Sequence, residues 1–333
     1  MTVAGSDRTT RTSVAMATFV TIDAPAGHDA AVDRALGWFH DLEARCSRFD
    51  ANSEIVGLTH RVGTAVPVSP PVFEVVQFAL AVADDTEGAF DPTVGASMEA
   101  RGFDREHRTR ARVTNARGQR DDVTYQDVRI DADRQTITLR RPLLLDLGAV
   151  AKGLAIDMAA RELAGCPWFA IDAGGDLFVG GLRPNGKPWS VGIRHPRVPD
   201  QLVATVRVMN GAICTSGDYE RKTAAGHHII DPRTAAPAPT ASATVIAPNA
   251  MLADALATAA FVLGGLDGIR LLERHGVEGL IVSADVERYA TAGFDRIHSI
   301  LQDAEGTPHH HPGVAAYDRD PVRGDQGRRA RPA

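Results

Sequence analysis

Residues 250–263 read AMLADALATAAFVL and carry a single charged side chain, that of Asp254. Apolar residues occupy nearly every face of this segment at helical spacing, so it predicts a helix that is buried on all sides. Such a helix must be covered by other elements of the fold. The carboxylate of Asp254 is costly inside it unless a partner compensates the charge.

Thr258 follows Asp254 by four residues and therefore lies on the same face of the predicted helix. A carboxylate and a hydroxyl one turn apart suit a hard cation such as Mg²⁺, which takes few protein ligands and completes its shell with water and phosphate. The alternative is an Asp254 that pairs with a distant arginine while Thr258 bonds the carbonyl four residues before it.

The rest of the chain alternates between β-type runs and helical periodicity, which favours an α+β fold. Residues 104–122 are dense in charge and predict a solvated connection, with room for a short helix. Further helices are predicted at 27–45, 71–83 and 149–164, and strands at 16–23, 168–172, 176–179, 189–193, 202–209 and 243–247, with two more after Val128.

Length and composition limit the classes of protein that need to be considered. The 333 residues carry a net charge of −6, which argues against general binding to nucleic acid. The three cysteines are far apart and predict reduced thiols, and neither a secretory h-region nor a membrane span is visible, so a cytoplasmic protein is expected. Residues 1–12 are expected to be a disordered leader, 13–301 one domain and 302–333 a disordered tail.

A second candidate for chemistry is the segment LLLDLGAVAKG at residues 143–153. A buried strand that runs through a glycine turn into a helix start aims backbone N–H groups at an anion. Lys152 falls in the predicted first turn, where the helix dipole disfavours a cation and a bound anion would reverse that penalty. The alternative is an exposed lysine without a role.

Polar clusters TSGDYE (215–220) and HIIDPRT (228–234) lie between predicted strands, where loops commonly place functional groups. His228 is suited to act as a general base near neutral pH, and a structural histidine is the alternative. The segments GAFDPTVG (88–95) and DAGGD (172–176) allow close backbone approach to a ligand, and ordinary turns are the alternative.

Taken together and in order, these segments resemble the ApbE family of FAD:protein FMN transferases over residues 14–290. The resemblance is carried by MATFVTID, CSRFDANSEIVGL, GAFDPTVG, LDLGAVAKGLAID, DAGGDLFVGG, WSVGIRHP, TSGDYE, HIIDPRT and ADALATA. It implies an α+β fold of two similar mixed lobes with FAD bound between them. It also implies Mg²⁺-dependent transfer of FMN from FAD to a Thr or Ser hydroxyl of an acceptor protein, with release of AMP.

The resemblance also assigns residues. It implies flavin contacts from Met16, Phe49, Ala89, Phe90, Asp91, Asp146, Lys152 and Ile230. It implies metal ligands in Asp254, Thr258 and the backbone oxygens of Ala149 and Ala257. His228 matches the catalytic position, and Asp218 is the alternative base. Competing functions are a metal-dependent FAD pyrophosphatase, in which water replaces the acceptor hydroxyl, and a flavin-binding protein without catalysis.

The sequence departs from the family pattern at a few positions. Ala235 stands where a glycine is common, and a positive φ there would cost alanine roughly 1 kcal/mol or change the loop. Phe49 replaces a frequent tyrosine, and Thr59-His60 stands where Asn often follows the preceding leucine.

Overall fold

A computed structural model describes residues 7–116, 118–119, 122–220, 222–223 and 226–299. In this part of the chain the helices are α1 (Asp29–Cys46), α2 (Glu54–Thr59), α3 (Pro70–Asp85), α4 (Gly95–Ala100), α5 (Gly148–Glu162), α6 (Ala250–Leu263) and α7 (Gly265–Arg274). The strands are β1 (Arg8–Ala15), β2 (Thr18–Pro25), β3 (Val66–Pro67), β4 (Val128–Asp131), β5 (Thr136–Leu139), β6 (Trp168–Ala173), β7 (Asp176–Gly181), β8 (Trp189–Arg194), β9 (Leu202–Val208), β10 (Gly211–Gly217), β11 (Lys222–Thr223), β12 (Gly226–His227), β13 (Thr240–Ala247), β14 (Glu278–Ser283), β15 (Arg288–Ala290) and β16 (His298–Ser299).

An eight-stranded antiparallel sheet, in the order β1-β2-β6-β7-β10-β13-β14-β15, forms the centre of the fold. The larger apolar core fills one face of this sheet, where α1, α3, α5 and α6 cover it. A smaller core on the other face joins the sheet to β8 and β9, which form a three-stranded sheet with β16. Helices and antiparallel strands are therefore segregated into layers, and the predicted α+β class is confirmed.

Helix α6 lies inside the helical layer and is buried along most of its length, as its apolar sequence predicts. Its bounds, Ala250–Leu263, agree with the prediction. The side chain of Asn249 caps it by accepting from Leu252 N, and Asp157 of α5 accepts from the backbone N–H groups of Ala250 (2.7 Å) and Met251 (2.9 Å). The first orphan N–H groups of α6 are thus satisfied within the protein.

Two of the longer strands, β1 and β10, were not anticipated. The predicted disordered leader is wrong for residues 8–12, because they belong to β1, which pairs with β2 over its whole length. An edge strand needs few apolar residues, and β1 consists largely of threonine and arginine. A search for hydrophobic alternation therefore does not detect it. Strand β10 includes Thr215 and Ser216, which were expected in a loop. The tail at 302–333 lies outside the described residues.

The predicted strand before Gly148 is also corrected. Residues 143–147 join none of the sheets and run instead beside the loop at 92–95. The Asp146 N–H donates to the Pro92 carbonyl at 2.8 Å, and Gly95 N–H donates to the Leu144 carbonyl at 3.2 Å. A Cβ on Gly95 would lie 2.5 Å from that carbonyl oxygen, so glycine permits this approach. No helix forms between residues 104 and 122 in the described part of that connection.

The crossing of α5 over α6 depends on Gly153. A Cβ there would lie 2.5 Å from Met251 Cα and 2.6 Å from the Ala250 carbonyl oxygen, both of them backbone atoms. We therefore expect Gly153→Ala to lower the free energy of unfolding by about 1–3 kcal/mol, the usual cost of overpacking. Urea denaturation measures it.

The matched control is Gly37→Ala in α1, where a Cβ would meet no atom within 4 Å. This change is expected to raise the free energy of unfolding by about 0.5–1 kcal/mol, because alanine loses less backbone entropy in a helix. Equal effects of the two substitutions would contradict the packing argument.

Candidate active site

Lys152 of α5 reaches two buried carboxylates that come from different elements. Its ammonium group contacts Asp176 Oδ2 at the start of β7 and lies 3.0 Å from Asp254 Oδ2 in α6. Asp176 and Asp254 each expose only 6% of their surface. Because an unpaired carboxylate at that depth is costly, this ammonium group is the main source of charge compensation at the junction of the three elements.

Asp176 is the member of this group that sequence reasoning missed. Its second oxygen, Oδ1, accepts a hydrogen bond from Thr215 N at 2.9 Å, so the carboxylate links β7, β10 and α5. The segment DAGGD had been interpreted as a turn that could admit a ligand, and nothing local distinguishes its last aspartate. Only its position, directly after the glycine pair and before an apolar strand, could have drawn attention to it.

The predicted pair of Asp254 and Thr258 faces the same centre. Thr258 Oγ1 shares a hydrogen bond of 3.1 Å with Ser216 Oγ at the end of β10. The partner of Asp254 is Lys152, not a distant arginine, so the alternative stated for this aspartate is wrong. Lys152 was predicted in the first turn of this helix, but α5 begins at Gly148, so Lys152 is its fifth residue and lies one position beyond the first turn.

The donor set fits a hard cation. Asp176 and Asp254 pair with one ammonium group, and Thr258, one helical turn after Asp254, shares a hydrogen bond with Ser216. Oxygen donors of this kind are the ligands that Mg²⁺ prefers. Within the described residues no group of three or more His, Cys, Asp and Glu side chains is arranged to hold a metal by itself. The arrangement therefore suits a cation that retains water and phosphate ligands, and it does not suit a structural zinc ion.

A second charged group surrounds Asp146. Its Oδ2 accepts from Arg48 Nε at 2.7 Å, and its Oδ1 accepts from Gly148 N at 3.0 Å. One N–H group at the start of α5, that of Gly148, is thus already bonded to a carboxylate of the protein and is not open to an anion. The Arg48 guanidinium also lies 4.1 Å from the ring centroid of Phe49, a cation–π contact.

His228 lies between this second group and α6. Its ring meets Phe103 edge-on at 6.2 Å, and the Phe103 carbonyl accepts from Arg48 at 2.6 Å. The neighbouring His227 ring meets Phe261 of α6 edge-on at 5.7 Å. Segment 226–228 therefore connects the Arg48–Asp146 pair to the helix that carries Asp254.

The predicted GAFDPTVG residues are largely occupied by structural contacts. Asp91 accepts from Thr93 N (2.8 Å), Thr93 Oγ1 (2.7 Å) and Tyr125 N (3.0 Å). Burial outweighs these hydrogen bonds and raises the pKa of Asp91 above its ordinary value. Ala89 and Phe90 are buried beside it. This segment is rigid because its polar groups are satisfied locally.

Other predicted site residues are engaged with different partners. The backbone N–H of Met16, in the tight turn between β1 and β2, donates to Glu43 Oε1 at 2.9 Å. Both carboxylate oxygens of Asp218 accept from Arg197, at 2.7 and 2.8 Å. Ile230 is buried and bridges to Pro237. Ala149 occupies the first turn of α5, and Ala257 is buried within α6.

The departure at Ala235 has a structural consequence. Its φ is +57°, the left-handed conformation that a glycine adopts without strain. The turn is nevertheless closed, because Ala235 N–H donates to the Asp231 carbonyl at 2.8 Å and Asp231 N–H donates to the Ala236 carbonyl at 3.0 Å. The turn therefore forms with Ala235 in a strained left-handed backbone conformation.

Comparison with known proteins supports the resemblance found in the sequence. The model of the ApbE family matches residues 16–281. An FAD:protein FMN transferase of Haemophilus influenzae is 30% identical over 282 residues, which cover 80% of this chain and 82% of that protein. One from Treponema pallidum is 33% identical over 299 residues, covering 80% and 81%.

Solved structures agree with this fold. The ApbE protein of Thermotoga maritima superimposes with a TM-score of 0.78 at 28% identity, covering 87% of this chain and 99% of that one. The flavin transferase ApbE of Vibrio cholerae gives a TM-score of 0.76 at 27% identity, with the same coverage. Among the described residues, no helix has both the length and the apolar character that crossing a membrane requires.

The charge balance at Lys152 predicts a large effect on stability. Lys152→Met would leave the carboxylates of Asp176 and Asp254 buried without their cation, and we expect a loss of about 3 kcal/mol in the free energy of unfolding. Lys187→Met is the control, since Lys187 lies exposed in a turn and its substitution is expected to stay within about 0.5 kcal/mol of zero. Losses of similar size in the two variants would refute the charge-balance argument.

Proposed function

Because this chain belongs to the ApbE family, we propose that it is an FAD:protein FMN transferase, which moves the FMN half of FAD to a hydroxyl group of an acceptor protein. The observation that carries the proposal is the buried group of Lys152, Asp176 and Asp254 beside the hydroxyls of Ser216 and Thr258. Such a centre is suited to a pyrophosphate and a hard cation. A purely structural ion pair would not require the two hydroxyl groups.

The metal proposed for this centre is Mg²⁺, held by Asp254, Thr258 and the backbone oxygens of Ala149 and Ala257. When bound, the metal would neutralise negative charge on the pyrophosphate. Lys152 has an ammonium group within reach of the same space and would bind a phosphate oxygen. The proposed flavin contacts are Met16, Phe49, Ala89, Phe90, Asp91, Asp146, Lys152 and Ile230, with FAD between the two lobes.

The proposed reaction exchanges a phosphoanhydride bond of FAD for a phosphoester bond to the acceptor. The oxygen of a Thr or Ser hydroxyl of the acceptor attacks the phosphorus of the FMN half. The bond between that phosphorus and the bridging oxygen breaks, AMP leaves with the bridging oxygen, and the hydroxyl proton passes to a base of the enzyme. No oxidant or reductant takes part, and a phosphoester of FMN with the acceptor remains.

His228 is the proposed base. Asp218, the other candidate, has both carboxylate oxygens engaged by Arg197, which supports a role in holding the loop rather than in accepting a proton. Histidine is the side chain best suited to accept a proton near neutral pH, and the half-buried His228 lies beside Phe103. The three cysteines are free, two of them buried, which supports the proposed location in the reducing cytoplasm.

The runner-up is an FAD pyrophosphatase, since water could take the place of the acceptor hydroxyl at the same centre. Incubation of the purified chain with FAD, Mg²⁺ and candidate acceptor proteins separates the two. The proposal predicts an acceptor whose intact mass rises by one FMN less one water, together with release of AMP. Release of FMN and AMP at an equal rate with and without every acceptor would show hydrolysis instead.

Asp254→Asn keeps the size of the side chain and removes its charge. We expect it to abolish Mg²⁺-dependent AMP release at sub-millimolar Mg²⁺ while the protein stays folded, because Lys152 still pairs with Asp176. Asp267→Asn in α7 is the control, since that aspartate forms only an exposed pair with Arg270. Normal activity of Asp254→Asn at low Mg²⁺ would exclude Asp254 as a ligand.

His228→Asn separates binding from chemistry. Loss of a positioned base is expected to lower the saturated transfer rate by roughly 10²–10⁴-fold, while the Kd for FAD changes little because other groups hold the dinucleotide. The Kd and the rate at saturating FAD are both measured. Weak binding with an unimpaired saturated rate would remove His228 from the mechanism and leave Asp218 as the remaining candidate.

A further inference from the structure

A small cleft lies between the central sheet and β8, and none of the roles assigned above uses it. Its volume is about 60 Å³, and its lining includes Gly174, Gly175, Val191, Gly192, Thr215 and Tyr219. Pockets that enclose drug-sized ligands measure about 300–1,000 Å³, so this cleft cannot hold a dinucleotide. A single small side chain with its flanking backbone is a better match.

The cleft is connected to the Lys152 centre through one carboxylate. Asp176 follows the cleft residue Gly175 directly, and its two oxygens bond Thr215 N on the cleft side and the Lys152 ammonium on the other. Because β7 begins and β10 ends here, the cleft and the Lys152 centre lie at the same end of the sheet. The cleft lies on the β8 face of the sheet and the Lys152 centre on the helical face, and Asp176 joins the two at this end of the sheet.

The wall formed by residues 191–194 of β8 is a backbone edge to which no strand of the described residues is paired. Four consecutive residues, 191–194, line the cleft, whereas side chains along a strand point alternately to opposite faces. The main chain itself must therefore border the cleft. Strand β9 pairs with one edge of β8, and no strand in the described part of the chain pairs with the other. Unpaired edges of this kind bind extended peptides by strand addition.

Tyr219 is one of the polar side chains that line the cleft. Its ring lies against Gly217, where a Cβ would come within 2.6 Å of a ring carbon. Burial raises the pKa of the Tyr219 phenol to about 12, so the hydroxyl is neutral at pH 7 and can both donate and accept a hydrogen bond. The bidentate pair of Asp218 and Arg197 holds the preceding residue in place.

The glycine turn next to this tyrosine leaves the end of the sheet open. A Cβ on Gly175 would meet no atom within 4 Å, so a bound chain can cross this end without meeting a side chain. Beside it, Gly174 N–H donates to the carbonyl of Phe19, whose side chain is 70% exposed. Val14 is paired with Phe19 across β1 and β2 and is also exposed. The two form an apolar surface next to the turn.

We propose that the acceptor protein docks here: an extended segment that carries the modified Thr or Ser adds to the free edge of β8, with Tyr219 hydrogen-bonded to it. The inference rests on the proposed function and names the surface that selects its protein substrate. Arg194 and Glu220 both line the cleft, so it presents charges of both signs to the bound segment.

Tyr219→Phe tests the side-chain contact, with the acceptor found by the intact-mass experiment as substrate. We expect the KM for acceptor to rise about 3- to 10-fold, the worth of one neutral hydrogen bond, while the KM for FAD and kcat stay within about twofold. Tyr289→Phe is the control, because that hydroxyl bonds only the exposed Glu287 on β15. An unchanged KM for acceptor, or a loss confined to FAD binding, would overturn the role of Tyr219.

Strand addition is tested on the peptide, so that folding of the enzyme is not at issue. Synthetic peptides that span the modified residue carry one N-methyl group at successive positions. Pairing with β8 predicts that transfer is lost at alternate positions only, since every second N–H faces the edge. Equal transfer to all peptides, or losses without this alternation, would overturn the docking mode. Absence of transfer from the wild-type protein to any acceptor would instead refute the proposed function itself.

Discussion

The fold depends on one ammonium group that compensates two buried carboxylates. Lys152 meets Asp176 from β7 and Asp254 from α6, a residue 102 positions away in the chain. Each carboxylate alone would be too costly to bury at this depth, so α5, α6 and the end of β7 must be in register for the helical layer to form. The close crossing at Gly153 permits this register, because it brings the two helices into backbone contact.

The same interaction accounts for the proposed chemistry. A centre held together by opposite charges is suited to a pyrophosphate and a cation, because Lys152 would bind a phosphate oxygen and Asp254 would hold the metal. Thr258 lies one helical turn after Asp254 and is held by its hydrogen bond to Ser216 at the end of β10. The adjoining cleft at β8 then places an acceptor at the end of the sheet where Asp176 lies, so stability and substrate approach involve the same few residues.

Much of the fold and part of the candidate site could be predicted from the sequence, wherever a local residue pattern determines the structure. The apolar periodicity of residues 250–263 predicts α6, and a carboxylate in that helix marks Asp254 before any contact is known. The pairing of Asp176 with Lys152 could not be predicted, because it depends on how separate elements meet. Strand β1 was missed because an edge strand can be polar, and the positive φ of Ala235 became visible only in the folded turn.

The central claim is that Asp254 and Thr258 hold the catalytic cation beside Lys152. It is tested most directly by anomalous diffraction from crystals soaked with FAD and Mn²⁺, which substitutes for Mg²⁺ at oxygen sites. The account predicts a single anomalous peak within coordination distance of Asp254 Oδ and Thr258 Oγ1, next to the pyrophosphate, with Lys152 turned toward a phosphate oxygen. A peak bound elsewhere, with Lys152 still joining Asp176 to Asp254 beside bound FAD, would contradict it.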